Sequence, residues 1–319
     1  MIIVSMTSYP PRIAGAVMAI RSILDGVVKP DKVVLNLKDP EFPNREKDLP
    51  DALLALCNQG LEINWWPRNI RSFAKVVPTL TKYPDDAIVL ADDDFKYPSD
   101  WLEAILTAHE KFPRDIIASR AHIIPLGRDG SIAPYNNWLQ SVHGCPNIAN
   151  VFPTTGAGTL YPPHSLSEFV CDEDVFLQDC PRADDVWMWA MRVLKGTRVR
   201  VLRRPFIQVP VAKAKGVALA NYNVEAGGND IQLDAVLRRF PQIRQKLSLG
   251  FSPNVNRKMF RGIIWRVNRN RLQMQFILGI PLWTKIYDLN YEYAWLFVLG
   301  IPIWRRKQFY PKLCITQCT

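Results

Sequence analysis

The first hundred residues alternate short apolar runs with segments of helical spacing, and this alternation constrains the fold more than any other feature. Strand-like runs cover residues 2–6, 32–37, 61–66 and 87–91. Between the first two runs, apolar residues recur at helical intervals over residues 13–24. A β-α-β order of this kind predicts a mainly parallel sheet with helices on both faces. We therefore expect an α/β fold.

Two further helices are predicted later in the chain. One follows Ser99, which is a suitable N-cap, with Asp100 in its first turn. The other covers residues 184–196, is apolar nearly all round and ends at Gly196, so it should be buried. Between them, residues 120–180 hold short apolar runs broken by Pro, Gly and Asn, which favours loops and irregular strands that build a site.

Length and composition fit one large globular domain, or one domain with an appendage, because 48% of the 319 residues are hydrophobic. No apolar run is long enough to predict a membrane-spanning helix, and the first residues do not resemble a signal peptide. The six cysteines lack C-x-x-C spacing, which argues against a zinc site or a disulfide scaffold. We expect reduced thiols and a cytoplasmic location, including the inner face of the inner membrane.

Charge is distributed unevenly along the chain. Residues 1–191 hold 17 Lys and Arg against 25 Asp and Glu, whereas residues 192–319 hold 23 against 5. The net charge is therefore −8 in the first part and +18 in the second. Residues 192–319 are therefore expected to bind anionic partners.

Three consecutive carboxylates, Asp92, Asp93 and Asp94, close the apolar run "AIVLA". In open α/β sheets ligands bind beyond the carboxyl ends of the strands, and residues two apart on extended backbone share a face. Asp92 and Asp94 can therefore hold one hard divalent cation. The alternative is a solvated turn in which an Asp caps the next helix, although Ser99 already offers that cap.

The segment "VLADDDFKYP" resembles the Asp-x-Asp motif of GT-A fold glycosyltransferases, in particular the bacterial family 2-like enzymes of lipopolysaccharide and capsule synthesis. The opening "VSMTSYPPRIAGAVMAIRSIL" is similar to their first strand, nucleotide-contacting loop and first helix. The segment "CPRADDVWMWAMRVLKG" resembles their later acidic motif. The resemblance covers roughly residues 1–200 and implies a nucleotide-binding sheet.

The resemblance assigns roles to individual residues of this chain. Asp92 and Asp94 would bind Mn²⁺ or Mg²⁺, and Asp93 would lie near the ribose or sugar of a UDP- or GDP-sugar donor. The residues expected to contact the donor elsewhere are Thr7, Ser8, Tyr9, Arg12 and Lys75. Tyr9 would stack on the base and Arg12 would bind the diphosphate. The alternatives are an ordinary turn at residues 9–11 and a surface charge at Lys75.

Asp185, with Asp184 in reserve, is the predicted base that takes the proton of the acceptor hydroxyl, an assignment that favours inversion. Their alternative role is an ordinary helix cap. Gly156 and Gly158 would bring backbone close to a sugar.

Three further positions are candidates of lower specificity. His143 and His164 can serve as a third metal ligand by residue type alone. The residues at 229–230, in "EAGGNDIQL", form either a loop that closes over the site or an ordinary turn.

The predicted domains are a GT-A catalytic domain over 1–250 and a basic, Trp-rich extension over 251–319. Within the extension, "FILGIPLWTKI" (276–286) repeats as "FVLGIPIWRRK" (297–307), which predicts two similar hairpin-like or amphipathic units. Basic residues mixed with tryptophans suit an anionic membrane or a glycolipid or polysaccharide acceptor. Packing of the tryptophans onto the main domain is the alternative, and nucleic acid is not expected as a partner.

These features together predict a metal-dependent glycosyltransferase that moves a sugar from a nucleotide-sugar donor to a lipid-linked or polysaccharide acceptor. A sugar nucleotidyltransferase is the nearest rival, but "TSYPPR" lacks the glycines of a phosphate-binding loop. A non-catalytic nucleotide-sugar or glycan-binding protein is the alternative outside the enzymes.

Overall fold

The structure is a computed structural model of the 319-residue chain. It describes residues 1–126, 131–144, 149–207, 209–211 and 221–249, together with five strands between residues 264 and 307. The predicted α/β class is confirmed.

A seven-stranded, mainly parallel sheet forms the centre of the fold. Its spatial order is β11-β6-β10-β4-β1-β2-β3. The strands are β1 (Ile2–Thr7), β2 (Lys32–Lys38), β3 (Leu61–Trp66), β4 (Ala87–Leu90), β6 (Ile116–Ala118), β10 (Thr159–Tyr161) and β11 (Val199–Val201). The four strand-like runs of the first hundred residues are β1 to β4, so the alternation in the sequence identified four of the seven strands of this sheet.

One strand of the sheet runs against the others. β10 pairs antiparallel with both β4 and β6, whereas the neighbouring pairs β1·β2, β1·β4, β2·β3 and β6·β11 are parallel. Thr159 lies opposite Leu90, at the end of β4. The chain segment just before β10 is thereby held beside the segment just after β4.

Smaller pairings flank this sheet. β7 (Ala121–Ile123), β8 (Leu139–Val142) and β9 (Val151–Pro153) form a three-stranded sheet, and β5 (Phe95–Lys96) pairs with β12 (Val209–Pro210). The irregular strands predicted for residues 120–180 are therefore present. The helix α5 (Glu173–Asp179) in the same region was not predicted.

Helices cover both faces of the central sheet, which is why its strands are apolar on both sides. α1 (Ile13–Leu24) and α4 (Trp101–Lys111) pack with Val4, Met6 and Val89 on one face. α3 (Val77–Lys82) and α6 (Asp184–Lys195) pack with Ile88 and Leu90 on the other. The remaining α-helices of the described part are α2 (Asp51–Leu54), α7 (Gly228–Arg239) and α8 (Gln242–Leu249).

The helices predicted from residues 13 and 184 begin there, α4 differs at its N-terminus, and α7 was not predicted. α6 is buried and ends at Gly196, whose φ of 84° needs the left-handed conformation that glycine adopts easily. α4 starts at Trp101 with Asp100 as its N-cap, so the prediction of Ser99 as the cap is wrong. Asn229 and Asp230 lie in the first turn of α7, and the predicted closing loop or turn is instead the start of a helix.

The described strands of the C-terminal region form a separate antiparallel sheet, in the order β13-β14-β15-β16-β17. Its strands are β13 (Ile264–Arg269), β14 (Leu272–Ile277), β15 (Ile280–Tyr287), β16 (Tyr293–Val298) and β17 (Ile301–Lys307). Each copy of the sequence repeat forms one hairpin, so the prediction of two hairpin-like units is confirmed for the backbone.

Both repeat hairpins have the same irregularity. Phe276 pairs with Pro281 and Phe297 with Pro302, and the register shifts beside each phenylalanine. A proline has no N–H for the ladder, so a bulge next to it is the expected accommodation. The boundary predicted at residues 250–251 lies outside the described residues and stays a prediction.

Within the described residues, no helix is both long and apolar enough to cross a bilayer.

Candidate functional site

The acid triplet emerges at the carboxyl edge of β4, as predicted. Its three side chains differ in exposure: Asp92 is 34% exposed, Asp93 6% and Asp94 33%. Asp92 and Asp94 therefore face solvent while Asp93 is buried between them. The strand ends at Leu90, and Asp93 and Asp94 lie in a turn, so the extended backbone expected for the triplet is not present.

Asp92 is held by a buried lysine and by the backbone around it. Lys75 Nζ lies 2.7 Å from Asp92 Oδ1. The Asp92 N–H donates to the hydroxyl of Tyr97 at 2.7 Å, and that hydroxyl donates to the Gly156 carbonyl at 2.8 Å. Asp92 is thus fixed to a segment that is distant in sequence.

Asp93 and Asp94 share one arginine. Arg12 Nη1 lies 3.1 Å from Asp93 Oδ1 and 3.1 Å from Asp94 Oδ2. Ser8 Oγ donates to Asp93 Oδ2 at 2.6 Å. The predicted donor-contacting loop therefore lies against the acid triplet, and Asp93 anchors that loop.

The rest of this loop is oriented by short-range contacts. Thr7 Oγ1 donates to the Asn36 carbonyl of β2 at 2.8 Å. The Arg12 guanidinium carbon lies 5.8 Å from the centre of the Tyr9 ring, at the outer limit of a cation–π contact. Arg12 Nε is buried and has no hydrogen-bond partner among the described residues.

Lys75 is not the surface charge that the sequence alternative suggested. Its side chain is only 7% exposed, and Nζ also lies 2.9 Å from Asp184 Oδ2. It ends a 3₁₀ helix, Arg71–Lys75, whose last carbonyl accepts a hydrogen bond from Ser5 Oγ at 2.7 Å. Lys75 therefore connects the acid triplet to Asp184, one of the two candidate general bases.

Asp184 and Asp185 open α6, but neither caps it. The N-cap position is Ala183, and no side chain accepts a capping hydrogen bond there. Thr155 Oγ1 instead donates to Asp184 Oδ2 at 3.1 Å and to Asp185 Oδ1 at 2.6 Å, and the Thr155 N–H donates to Asp185 Oδ1 at 2.8 Å. The capping interpretation of this pair is therefore wrong.

The turn over residues 155–158 joins the two groups of acids. A Cβ on Gly156 would lie 1.7 Å from Asp92 Oδ2, so the carboxylate packs directly on the Gly156 backbone. Gly158 has a φ of 104°, and a Cβ there would lie 2.4 Å from the Trp101 indole nitrogen. That nitrogen donates to the Ala157 carbonyl at 3.0 Å. These glycines bring backbone close to Asp92 and Trp101, and their predicted approach to a sugar is untested.

The ionisation of these groups reflects an excess of negative charge. Of the five carboxylates, four form ion pairs, and in the described chain these involve only two cations, Arg12 and Lys75. Asp185 has no ion pair among the described residues and accepts hydrogen bonds from Thr155. Burial alone would lower the pKa of the Lys75 ammonium, but Asp184, Asp92 and Asp185 raise it well above its usual value. Burial and the charge of Asp92 raise the pKa of Asp94 to about 6, against the opposing effect of Arg12.

The pKa values of the two acids of α6 shift in opposite directions. Burial would raise the pKa of Asp184, but the Lys75 ammonium outweighs it and lowers that pKa. Burial and the charge of Asp184 raise the pKa of Asp185 to about 6, with Lys75 and Thr155 opposing. Carboxyl pairs separated in this way are typical of sites in which one acid handles a proton near neutral pH.

The acid triplet fits a divalent cation as a two-carboxylate site. Asp94 Oδ1 is buried without a hydrogen-bond partner in the described part of the chain, and Asp92 is open to solvent. Carboxylate oxygens are the ligands that hard cations prefer. No group of three or more His, Cys, Asp or Glu side chains is placed to hold a metal in the described residues. Further ligands would therefore have to come from water or substrate.

Neither histidine candidate is shown to join the acids. His164 is 70% exposed, and its Nε2 lies 3.0 Å from Asp85 Oδ1. His143 lies beside the backbone of Ser119 and Leu202. Asp230 is also engaged elsewhere, because its Oδ1 accepts the Tyr135 N–H at 2.8 Å.

Sequence inspection missed Thr155 and Tyr97 as parts of the site. Thr155 lies in "TTGAG", where the glycines drew attention and the threonine did not, and Tyr97 lies just after the triplet. No local pattern marks either one, because their partners are distant in the chain.

Comparison with known proteins gives a likeness of fold only. No protein-family model and no curated protein matches the chain. Solved structures that match include S. aureus TarS 1-349 in complex with UDP and the same protein in complex with UDP-GlcNAc, each 14% identical with a TM-score of 0.43, over 75% of this chain and 72% of the other. A further structure of TarS 1-349 matches at 13% identity and a TM-score of 0.41, over 64% of this chain. This chain covers 58% of that structure, which is less than two thirds of its length.

Proposed function

We propose that the chain is a metal-dependent glycosyltransferase of GT-A type, which moves a sugar from a UDP- or GDP-sugar to a lipid-linked or polysaccharide acceptor of a bacterial surface glycan. One observation supports this proposal above the others. The solvent-facing acids at the end of β4 and a second carboxyl pair, Asp184 and Asp185, meet across Lys75 and the turn at Thr155. A donor site and a proton acceptor are thus adjacent.

In this proposal Asp92 and Asp94 hold Mn²⁺ or Mg²⁺. A bound cation would neutralise the charge that builds on the departing nucleoside diphosphate. Arg12 adds a positive charge beside Asp94 for the same diphosphate, and its unpartnered buried Nε gives it hydrogen-bonding capacity beyond Asp93 and Asp94. Thr7, Ser8 and Tyr9 form the wall of the nucleotide pocket.

Asp185 takes the proton. The acceptor hydroxyl oxygen forms a bond to the anomeric carbon, the bond from that carbon to the diphosphate oxygen breaks, and the hydroxyl proton passes to the Asp185 carboxylate. Both contacts from Thr155 go to Oδ1, which orients the carboxylate for proton transfer at Oδ2. A pKa of about 6 leaves Asp185 ionised at neutral pH and still basic enough to accept a proton. A single displacement of this kind inverts the anomeric centre.

The acceptor and the location belong to the same proposal. The basic extension over 251–319 would contact an anionic membrane or the acceptor at the inner face of the inner membrane, since it holds 11 Lys and Arg against 2 Asp and Glu. No observation favours the nucleotidyltransferase or the non-catalytic binding protein over the transferase.

The test is a screen of UDP- and GDP-sugars for hydrolysis and transfer, with Mn²⁺ and with EDTA. We expect metal-dependent release of the nucleoside diphosphate, and a loss on the order of 100-fold or more in Asp94→Ala and in Asp185→Asn. Arg238→Ala, which removes a surface ion pair with Asp234, is the matched control and should keep wild-type activity. Equal activity in wild type and Asp94→Ala would contradict the metal assignment.

A further inference from the structure

Lys75 occupies the position from which a lysine can compete with a divalent cation. Its ammonium lies 2.7 Å from Asp92 Oδ1 and 2.9 Å from Asp184 Oδ2, so it joins an acid of the triplet to an acid of α6. The Asp92 side chain is 34% exposed, whereas that of Asp184 is 11% exposed. A cation that enters from solvent therefore meets Asp92 first, with one oxygen already occupied by Lys75.

The backbone supports this lysine firmly. Ser5 Oγ donates to the Lys75 carbonyl at 2.7 Å and lies 2.6 Å from Thr79 Oγ1. Asn36 Nδ2 donates to Thr79 Oγ1 at 2.8 Å. This buried network connects the 3₁₀ helix of Lys75 to β1 and β2, so the backbone that carries the ammonium group is held at a fixed position.

The two acids that face the ammonium differ in their freedom. Asp184 is held by Thr155 as well as by Lys75 and is nearly buried, so it can retain the lysine without help from Asp92. Asp92 is fixed through its backbone N–H, but its carboxylate reaches solvent. Asp92 can therefore exchange partners while Asp184 keeps the ammonium in place.

We propose that Lys75 is a positioning residue that competes with the divalent cation for Asp92 and makes cation binding depend on the nucleoside diphosphate. This inference rests on the proposed function. Without nucleotide, Lys75 and Arg12 already neutralise part of the acidic cluster, and the cation binds weakly. The negative charges of a diphosphate shift the balance, Asp92 turns to the cation, and Lys75 stays with Asp184.

Linkage makes this proposal measurable, because a diphosphate that tightens cation binding must itself bind more tightly with the cation present. In Lys75→Met the competitor is gone. We expect Mn²⁺ to bind this variant without nucleotide on the order of tenfold more tightly than wild type, since one buried charge interaction no longer opposes it. The tightening of Mn²⁺ binding by nucleotide should shrink by the same factor.

In the experiment, the full chain is titrated with Mn²⁺ alone, and binding is monitored by calorimetry and by the electron paramagnetic resonance signal of free Mn²⁺. The titration is then repeated with saturating UDP or GDP. Lys75→Arg keeps the positive charge and should retain weak Mn²⁺ binding without nucleotide. Lys82→Met is the matched control, because Lys82 pairs with Glu62 at 2.9 Å outside the site. Its Mn²⁺ affinity should equal that of wild type.

If Lys75→Met fails to fold, the double variant Lys75→Met/Asp184→Asn removes the lysine and its inner partner together and takes its place. Mn²⁺ affinity that is unchanged or weaker in the folded variant overturns the inference. If donor hydrolysis by wild type is nevertheless metal-dependent, the proposed function stands and only the competition by Lys75 is refuted. If no variant binds Mn²⁺ with either nucleotide, the metal assignment falls as well.

Discussion

The close contact between Gly156 and Asp92 allows a test of whether the turn at residues 155–158 maintains the acid site. In Gly156→Ala the new Cβ would lie 1.7 Å from Asp92 Oδ2 and 2.4 Å from its Cγ, so one of the two groups must move. The Asp92 side chain is the more easily displaced, and its movement would break the ion pair with Lys75. Overpacking of this kind costs about 1–3 kcal/mol of unfolding free energy.

For a chain of this size, that cost lowers the melting temperature by roughly 1–5 °C. Under the proposed function, activity should fall much further, on the order of 100-fold, because a displaced Asp92 would not hold the cation proposed to stabilise the leaving group. The assays are differential scanning fluorimetry with and without Mn²⁺ plus UDP or GDP, and release of nucleoside diphosphate from the active donor. We expect the stabilisation by metal and nucleotide to be lost.

Gly15→Ala is the control, since its Cβ would lie 3.5 Å from the Asp93 carbonyl oxygen and 3.6 Å from Val211 Cγ1. These are ordinary contacts, and alanine in a helix interior gains about 0.5–1 kcal/mol over glycine. Its melting temperature and its activity should equal or exceed those of wild type. Wild-type turnover and wild-type metal-dependent stabilisation in Gly156→Ala would refute the role given to this packing.

Three further predictions concern protons. The proposed base Asp185 must be ionised to accept a proton, and its pKa is raised to about 6, so turnover of the wild type should fall as the pH drops through that value. Asp185→Asn should lose on the order of 100-fold in rate without loss of nucleotide binding. A flat pH–rate profile of the wild type would contradict the assignment of Asp185. Thr155→Val removes a hydroxyl that stabilises the ionised Asp185, so the acidic limb of the pH–rate profile should move to higher pH, and about 1–2 kcal/mol of unfolding free energy should be lost. An acidic limb at the wild-type pH would exclude Thr155 as a group that lowers the pKa of Asp185. The folded state raises the pKa of Asp94 to about 6, so wild-type stability should increase as pH falls from 6 toward the ordinary value of 3.8. Asp94→Asn should therefore melt above wild type near pH 8 without metal but not near pH 4. If Asp94→Asn instead melts below wild type near pH 8, the ion pair with Arg12 stabilises the fold more than burial of the charge destabilises it.

Local patterns in the sequence were sufficient to predict the elements that form from neighbouring residues. α1 spans Ile13–Leu24 and β3 spans Leu61–Trp66, as the apolar spacing indicated, because each is defined by residues within one window. The position of the triplet also followed from β4 alone. These parts of the fold need no information about distant contacts.

The rest of the site depends on pairings that no short window contains. β10 is three residues long and enters the sheet against the direction of its neighbours, and a run as short as "TLY" predicts neither fact. Lys75 looked like a surface charge because the carboxylates that justify its burial lie at Asp92 and Asp184. A buried cation is explained only by partners of opposite charge, and those partners are known once the strands are assembled.

The placement of β10 between β4 and β6 also bears on how the protein acquires its site. Arg12 and Lys75 precede the triplet, whereas Thr155 and Asp184 follow it much later, so a nascent chain contains the triplet and its two cations long before the second carboxyl pair is synthesised. Contacts of such sequence separation form slowly. Fragments that end before β10 should therefore contain Lys75 and Asp92 without Asp184, and a complete cluster reports that the central sheet has closed around its single reversed strand.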